Sequence, residues 1–170
     1  MNFLMKNSSS GQKAAMSKTN AIRILESSGI KFTVHSYEVD EEDLSGSTVA
    51  KKIGAAEETV FKTLVAEGDK TGINVFCIPV SEELNLKKAA AVSGNKKIEM
   101  IKMKELLPVT GYIRGGCSPI GMKKDFAAFI EETAQLFEKI YISAGVRGMQ
   151  ACISPLDLKK IVNAAFADLL

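Results

Sequence analysis

The sequence is poor in the side chains that hold metal ions or form disulfide bonds. Its 170 residues include one histidine and three cysteines, and no two cysteines have the C-x-x-C spacing. So few ligands give no metal-binding cluster, and an odd number of scattered cysteines argues against a disulfide framework. We therefore expect neither a metal nor another cofactor, and the cysteine usage favours a reducing cytoplasm.

The sequence also lacks a hydrophobic run that could cross a membrane or direct secretion. No stretch reaches 18 consecutive apolar residues, and the segment Asn7 to Gly11 is polar where a signal peptide would be apolar. We interpret residues 1–16 as a flexible leader and residues 17–170 as one domain. With 46% hydrophobic residues, a domain of this size can bury a substantial core. We expect a monomer that makes no contact with membranes.

Charge is distributed unevenly along the chain. Residues 38–43 hold five acids and no base, whereas residues 87–104 hold six lysines against Glu99 alone, a local excess of +5. Such an excess can bind a polyanion, and it is also typical of a solvated, lysine-rich surface. The charge pattern alone leaves both interpretations open.

Helix and strand patterns alternate without a regular βαβ rhythm. Capped helical patterns occur at 19–29, 47–54, 81–94 and 154–169. A pattern with a period of two predicts a strand at 30–37, and runs of strand-forming residues predict further strands at 60–66, 73–80, 96–101 and 138–143. Residues 67–72 join two of these strands as a longer hairpin loop, and residues 103–107 fit a short helical turn. Residues 144–148 form a second glycine-bearing loop, and 126–131 fit either a helix or a strand. These patterns predict an α+β fold with a mixed, largely antiparallel sheet.

Two predicted strands carry polar side chains that need an explanation. The first is expected to bury Phe32 and Val34 and to present His35 on its other face, where a lone histidine is more often structural than catalytic. Lys62 interrupts the apolar strand 60–66. Because an unpaired ammonium is costly to bury, this side chain either reaches solvent from a sheet edge or points into a cleft with a counter-charge. The pattern does not decide between the two.

Four of the thirteen glycines fall within residues 111–121. Glycine exposes backbone N–H groups, so this segment is either an ordinary turn or a loop shaped around a ligand. Gly116 to Gly121 has the spacing of a phosphate loop, but Met122 stands where its lysine belongs. Ser118 is not in a G-x-S-x-G motif and Cys117 has no evident base in its loop, so neither is a predicted nucleophile. A strand lysine, bare N–H groups and a basic surface suit an anionic substrate and an oxyanion.

Several motifs occur in the order seen in the YbaK/EbsC family. They are Phe61-Lys62-Thr63-Leu64, Leu86-Lys87-Lys88-Ala89-Ala90, Gly111-Tyr112 with Gly115 to Gly121, and Tyr141 to Gly145 with Arg147-Gly148. The sequence resembles this family from Lys18 to Leu170. The resemblance implies a free-standing relative of the editing domain of prolyl-tRNA synthetase, with a barrel-like sheet flanked by helices. It also favours a strand for residues 126–131.

The same resemblance implies an activity. Members of the family remove wrongly attached amino acids from tRNA, and the substrate expected here is Cys-tRNA(Pro). The thiol of the attached cysteine is then expected to attack its own ester and form a cyclic thiolactone. Lys62 is implied as the residue on which activity most depends, because it holds the terminal adenosine or its phosphate.

The remaining expected site residues serve an ester that is already activated. The backbone N–H of Gly115 is expected to stabilise the oxyanion, a contribution of about 10²–10³ in rate elsewhere. Substrate contacts are expected from Tyr37, Thr63, Gly116, Ser118, Ser143 and Gly145. Tyr37 and Thr63 would position the aminoacyl end or the ribose. Gln150 departs from the acidic residue that the resemblance leads us to expect, so its role stays open.

The expected partners are the acceptor end of tRNA and prolyl-tRNA synthetase. One alternative within the enzyme class is an Ala-tRNA(Pro) deacylase, because small pockets separate substrates by only about 1–3 kcal/mol per added group. The alternative outside that class is a non-enzymatic module that binds tRNA ends or a protein partner.

Overall fold

The computed structural model describes residues 18–170, which form two β-sheets with helices packed around them. The helices are α1 (Asn20–Ser28), α2 (Gly46–Ile53), α3 (Leu86–Val92), α4 (Met103–Thr110) and α5 (Pro155–Ile161). The strands are β1 (Phe32–Ser36), β2 (Phe61–Gly68), β3 (Gly72–Pro79), β4 (Ile98–Met100), β5 (Ala127–Glu131), β6 (Ile140–Val146), β7 (Met149–Ile153) and β8 (Ala165–Ala167). The predicted leader, residues 1–16, and the start of the predicted domain lie outside the described residues.

The two sheets differ in size and in strand direction. The smaller is antiparallel with the order β1-β7-β6, and the larger has the order β4-β2-β3-β5-β8. In the larger sheet β2 runs antiparallel to β3 and β4, whereas β5 runs parallel to β3 and β8. A parallel bridge between Val60 and Tyr141 joins the sheets. The α+β prediction with a mixed, largely antiparallel, barrel-like sheet is confirmed.

The main core fills the space between the sheets and two helices. It includes Phe61 and Ile130 from the larger sheet, Ile142 from the smaller one, and Leu25 and Leu158 from α1 and α5, all nearly or fully buried. Burial of each such side chain contributes about 1.5–3 kcal/mol. Among residues 18–170, no helix combines the length and the apolar character needed to cross a membrane.

Helix α1 forms as its sequence predicts. The Thr19 hydroxyl accepts a hydrogen bond from the Ile22 N–H at 3.1 Å and donates one to the Ala144 carbonyl at 2.6 Å. Gly29 ends the helix with a φ of +76°. The cap of α1 therefore also ties the helix to β6.

The β2–β3 hairpin is tighter than the sequence indicates. Both strands extend to the pair Gly68 and Gly72, so the predicted six-residue loop is a short turn. The Asn95 side-chain oxygen accepts the N–H groups of Lys70 and Thr71 at 2.8 and 2.9 Å. The side-chain amide of Asn95 thus supplies the acceptor for the two N–H groups of the turn.

Two helix boundaries differ from the prediction because of local capping and geometry. Helix α3 begins at Leu86, five residues after the predicted Ser81 start, because the Asn85 side chain caps the Lys88 N–H at 3.1 Å. Helix α4 continues to Thr110 with Pro108 inside it, where the prediction ended at residue 107.

The largest error concerns the C-terminal helix. Helix α5 ends at Ile161, and Asn163 then adopts a φ of +52°, which turns the chain into β8. Leu169 is fully buried, but it packs beyond β8 rather than on a helix face. The Glu131 carboxylate holds this segment by accepting the Leu169 N–H at 2.8 Å. Periodicity along 154–169 could not show that the end of the chain pairs with β5.

The sheets decide three predictions about strands and the loops beside them. Residues 127–131 form β5, in agreement with the strand that the family resemblance favours. The prediction that Val34 is buried is wrong, since it is 41% exposed on β1. The predicted loop 144–148 is mostly strand, because β6 continues through Val146 with an irregularity in register after Ser143.

Candidate active site

A cleft of about 480 Å³ opens along the free edge of β2. Strand β2 pairs with β3 over its whole length but with β4 only at Ala66 to Gly68. Among residues 18–170, positions 61–65 therefore pair with no strand along their second edge, although the Val65 carbonyl accepts the Ile101 N–H at 3.2 Å. The start of α2, α4, the glycine loop and β6 close around this gap. The cleft contains Lys62, Thr63, Gly115 and Ser143 of the eight predicted site residues.

Lys62 lies in the cleft wall and is partly buried. Burial lowers the pKa of its ammonium, while the charges of Glu83 and Glu82 raise it. Its Nζ lies 3.5 Å from the Val80 carbonyl, and within residues 18–170 it forms no salt bridge. Lys62 therefore lies in a cleft, as one of the two interpretations of the sequence has it, but Glu82 and Glu83 act on its charge without forming a salt bridge. Its N–H donors remain available to an anionic group.

Gly115 is exposed and lines the same cleft, so its backbone N–H is a second candidate donor. Its φ of +84° lies in the left-handed region, and an added Cβ would lie 3.2 Å from the Arg147 Nε. Within residues 18–170 its N–H has no hydrogen-bond partner. A backbone N–H with no protein acceptor at a cleft wall can stabilise a developing oxyanion.

The neighbouring loop residues do not offer the contacts that the sequence prediction gave them. The Gly116 N–H is buried and donates to the Ile113 carbonyl at 2.9 Å, which closes a turn. Ser118 is fully buried, and its Oγ accepts the Ile120 N–H at 3.2 Å. Neither residue lines the cleft. We therefore leave both out of the proposed substrate contacts.

Contacts from inside the fold and from its surface fix the glycine loop. The Tyr112 hydroxyl donates to the Ile120 carbonyl at 2.6 Å. From outside, the Arg147 Nε donates to the Arg114 carbonyl at 2.8 Å, and its Nη1 pairs with the Glu41 carboxylate at 2.7 Å. These bonds hold the backbone around Gly115 in place before a substrate binds.

Ser143 and Gln150 lie opposite each other in the register of β6 and β7, and both line the cleft. The Ser143 Oγ accepts the Gly145 N–H at 3.1 Å, which leaves its own proton for a ligand. Gln150 is 6% exposed, and its Oε1 is buried without a hydrogen-bond partner among residues 18–170. A buried acceptor without a donor costs about 1–3 kcal/mol, so an N–H or S–H group of a bound ligand would relieve it.

Thr63 and Cys117 add a hydroxyl and a thiol to the cleft. The Thr63 Oγ1 lies 4.0 Å from the Sγ of Cys77, which is fully buried. Burial raises the pKa of Cys117 to about 11, although a hydrogen bond with Thr110 lowers it. The Cys117 thiol is therefore protonated at neutral pH and is a poor nucleophile.

Tyr37 and Gly145 lie outside the cleft. Tyr37 follows β1 and lines a small neighbouring depression that shares Leu44, Val49 and Gly115 with the cleft. Gly145 has a φ of +100°, and an added Cβ would lie 3.1 Å from the Tyr112 ring. Gly145 therefore serves the packing of β6 against Tyr112 rather than the cleft surface.

Sequence reasoning missed part of the cleft lining. Gln150 was noted without a role, although a polar residue inside the apolar run of β7 signals a special position. Arg114 and the start of α2 also line the cleft, and neither has a local pattern that marks it. Among residues 18–170, no group of three or more His, Cys, Asp or Glu side chains could hold a metal ion.

Comparison with known proteins identifies the family to which this chain belongs. Residues 43–161 match the model of the aminoacyl-tRNA editing domain. The chain is 45% identical over 158 residues to EbsC of Enterococcus faecalis, a candidate Cys-tRNA(Pro)/Cys-tRNA(Cys) deacylase by name, and the match covers 93% of this chain and 96% of the relative. The chain belongs to the aminoacyl-tRNA editing domain family, within its YbaK/EbsC group.

The chain is also similar to a more distant sequence and to solved structures. YwhH of Bacillus subtilis, an uncharacterised protein, is 24% identical over 126 residues, which cover 72% of this chain and 80% of YwhH. A crystal structure described as a candidate trans-editing enzyme for prolyl-tRNA synthetase superposes with a TM-score of 0.75 at 24% identity. The superposition covers 88% of this chain and 96% of the chain in that crystal structure.

Proposed function

We propose that this protein is an aminoacyl-tRNA deacylase that removes cysteine from mischarged Cys-tRNA(Pro). The observation that carries the proposal is a pair of residues in one cleft with hydrogen-bond donors to spare. Lys62 presents an ammonium without a salt-bridge partner, and Gly115 presents a backbone N–H without an acceptor, both among residues 18–170. Such a pair suits a substrate with a phosphate or hydroxyl-bearing end and an ester that becomes an oxyanion.

The substrate class rests on the relatives. EbsC, at 45% identity over nearly its whole length, is named for Cys-tRNA(Pro) and Cys-tRNA(Cys). In our proposal Lys62 holds the terminal adenosine or its phosphate, and Thr63 contacts the ribose. Ser143 and Gln150 face the attached amino acid.

The reaction needs no nucleophile from the protein. The thiol sulfur of the attached cysteine forms a bond to the ester carbonyl carbon, and the bond from that carbon to the ribose oxygen breaks. The thiol proton is transferred to the departing ribose oxygen, so the products are a thiolactone and deacylated tRNA. Gly115 stabilises the oxyanion between these two steps. This route fits the protonated, buried state of Cys117, the one cysteine whose side chain lines the cleft among residues 18–170.

The finer features of the proposal concern partners and compartment. The acceptor end of tRNA is the expected contact, with prolyl-tRNA synthetase as a further partner that supplies tRNA selection. We propose action in the cytoplasm, where three buried, unpaired thiols remain reduced. We further propose that the protein acts as a monomer.

The test is deacylation of tRNA(Pro) charged separately with cysteine, alanine, serine or proline. We expect release of cysteine by the wild type, at least 10²-fold slower release by Lys62→Ala, and wild-type release by the control Lys139→Ala, an exposed lysine outside the cleft. Preferential release of alanine would replace the cysteine assignment. Salt-sensitive tRNA binding without cleavage of any ester would favour a non-enzymatic binding module instead.

A further inference from the structure

Two cations at the opening of the cleft have no role in the proposed chemistry. Lys102 and Arg114 line the cleft and are exposed, so they lie where it meets solvent. Lys102 precedes α4 and Arg114 follows it. Within residues 18–170, neither side chain forms a salt bridge. These two residues, together with Met100 and Met103, are called the cleft mouth below.

Two acids, Glu99 and Glu105, lie three positions from Lys102 along the chain, and among residues 18–170 neither forms a salt bridge with it. The Glu105 Oε1 accepts the backbone N–H of Lys102 at 3.1 Å, so this carboxylate caps α4. The Arg114 carbonyl accepts a hydrogen bond from the Arg147 Nε, which fixes the backbone of Arg114. The Arg114 guanidinium takes no part in this bond. Both positive charges are therefore available to an anion outside the protein.

Exposed apolar side chains line the same cleft as the two charges. Met100 and Met103 also line the cleft, and they are 44% and 59% exposed. A methionine side chain is flexible and polarizable, and its sulfur makes favourable contacts with aromatic rings. Exposed thioethers beside free cations match a ligand that alternates flat rings with negative charges.

We propose that the cleft mouth binds the single-stranded 3′ end of an RNA. Lys102 and Arg114 bind its phosphates, and Met100 and Met103 contact the faces of its unstacked bases. This inference rests on the proposed function, because it assigns the stretch of tRNA next to the aminoacyl ester to a particular surface. The position of the mouth, continuous with the cleft that holds Lys62, favours RNA over an unrelated acidic protein.

The first test measures binding without chemistry. The affinity of deacylated tRNA is measured at several salt concentrations for the wild type and for Lys102→Gln/Arg114→Gln. Each lost phosphate contact on a single strand lowers the slope of log K against log salt by about 0.7, so the double variant should lose about 1.4. That difference corresponds to roughly 25-fold weaker binding at 0.1 M salt.

A matched control removes the same charge elsewhere. Lys159 and Lys160 are exposed on α5, which contributes nothing to the cleft lining. Lys159→Gln/Lys160→Gln should keep the wild-type slope. An equal loss in both double variants would show a general charge effect, and a wild-type slope in the mouth variant would show that the mouth does not contact phosphates. Either outcome would overturn the inference.

The second test separates the mouth from the catalytic proposal. Cysteine esterified to adenosine alone lacks the phosphates of tRNA. The mouth variant should lose about 25-fold in kcat/KM on Cys-tRNA(Pro) and less than about threefold on this ester, because the ester has no phosphates for the mouth to bind. Equal losses of the mouth variant on both esters would contradict RNA docking. If the wild type cleaves neither ester but the salt slopes differ as expected, the mouth stands and the deacylase proposal fails.

A third test removes the apolar side chains of the cleft mouth without changing its charge. Met100→Ser/Met103→Ser should weaken tRNA binding about threefold or more without changing the salt slope. Unchanged affinity would remove the base contacts from the proposal.

Discussion

Replacing Lys62 with methionine should abolish deacylation and stabilise the fold at the same time. The side chain is partly buried in the cleft wall, and its ammonium has a single long contact, 3.5 Å to the Val80 carbonyl, among residues 18–170. Methionine keeps an unbranched chain of similar reach but brings no charge. The substitution therefore removes the unpaired cation and changes the packing little.

The two expected magnitudes have opposite signs. Loss of one preorganised donor should lower kcat/KM by at least about 10²-fold. Removing an ammonium that burial disfavours should raise the free energy of unfolding by about 1 kcal/mol, in the range typical of stabilising changes at functional sites. Because the residue remains partly in water, a much larger gain is not expected.

The pH dependence of stability gives an independent check on the cause. The pKa of Lys62 in the folded protein lies below its ordinary value of 10.5, so the unfolded chain binds more protons in the interval between the two values. The unfolding free energy of the wild type should therefore rise with pH across that interval. The Lys62→Met variant should lack this rise, and its advantage over the wild type should shrink as the pH approaches 10.5.

Urea unfolding and single-turnover deacylation of Cys-tRNA(Pro) measure both quantities. Lys139→Met serves as the control, because Lys139 is exposed and lies outside the cleft. The reasoning would be refuted by a Lys62→Met variant that is both active and unchanged in stability. A destabilised, inactive variant would show instead that Lys62 supports the fold.

Four positions around the cleft give the remaining predictions. Gly115→Ala should lower the unfolding free energy by about 1–3 kcal/mol, because φ is +84° and the Cβ would lie 3.2 Å from Arg147; an unchanged urea midpoint would contradict this close approach. Cys117→Ala should keep kcat within about threefold, since burial raises the thiol pKa to about 11, and a larger loss would mean that the thiol takes part in the reaction. Ser118→Ala should cost about 1 kcal/mol of stability through its lost bond to the Ile120 N–H, with kcat/KM unchanged; reduced turnover at normal stability would restore Ser118 to the site. Gln150→Leu should reduce discrimination between Cys-tRNA(Pro) and Ala-tRNA(Pro) about tenfold, and identical selectivity would show that the Gln150 amide does not contact the amino acid.

Local sequence signals predicted the parts of the fold that local physics decides. The caps of α1, the hairpin strands and the start of α5 depend on residues within a few positions of each other. Where a distant residue intervenes, the prediction failed. Asn95 tightens the hairpin turn from 24 or 25 residues away, and Glu131 anchors Leu169 from 38 residues away. No periodicity within either segment carries that information.

The candidate site divides in the same way. Lys62 was noticeable because a charged residue interrupted an apolar strand, and the glycine loop because of its composition. The sequence could not show which N–H groups of that loop form hydrogen bonds within the protein. In the structure the Gly116 N–H donates to the Ile113 carbonyl, whereas the Gly115 N–H has no partner among residues 18–170. The sequence drew attention to Gln150 but gave it no role, and only the structure shows that its Oε1 is buried without a hydrogen-bond partner among residues 18–170.

The bridge between Val60 and Tyr141 bears on how wide a range of substrates the protein can accept. The two sheets approach each other at this bridge, and the cleft opens beside it. The main core also joins the sheets, because Phe61 of the larger sheet and Ile142 of the smaller one are buried in the same cluster. Close packing of this kind resists a change in the distance between the sheets, so the width of the gap between β2 and β6 is set before a substrate binds. We expect this fixed width to limit the size of the amino acid, with hydrogen bonds from Ser143 and Gln150 adding selectivity.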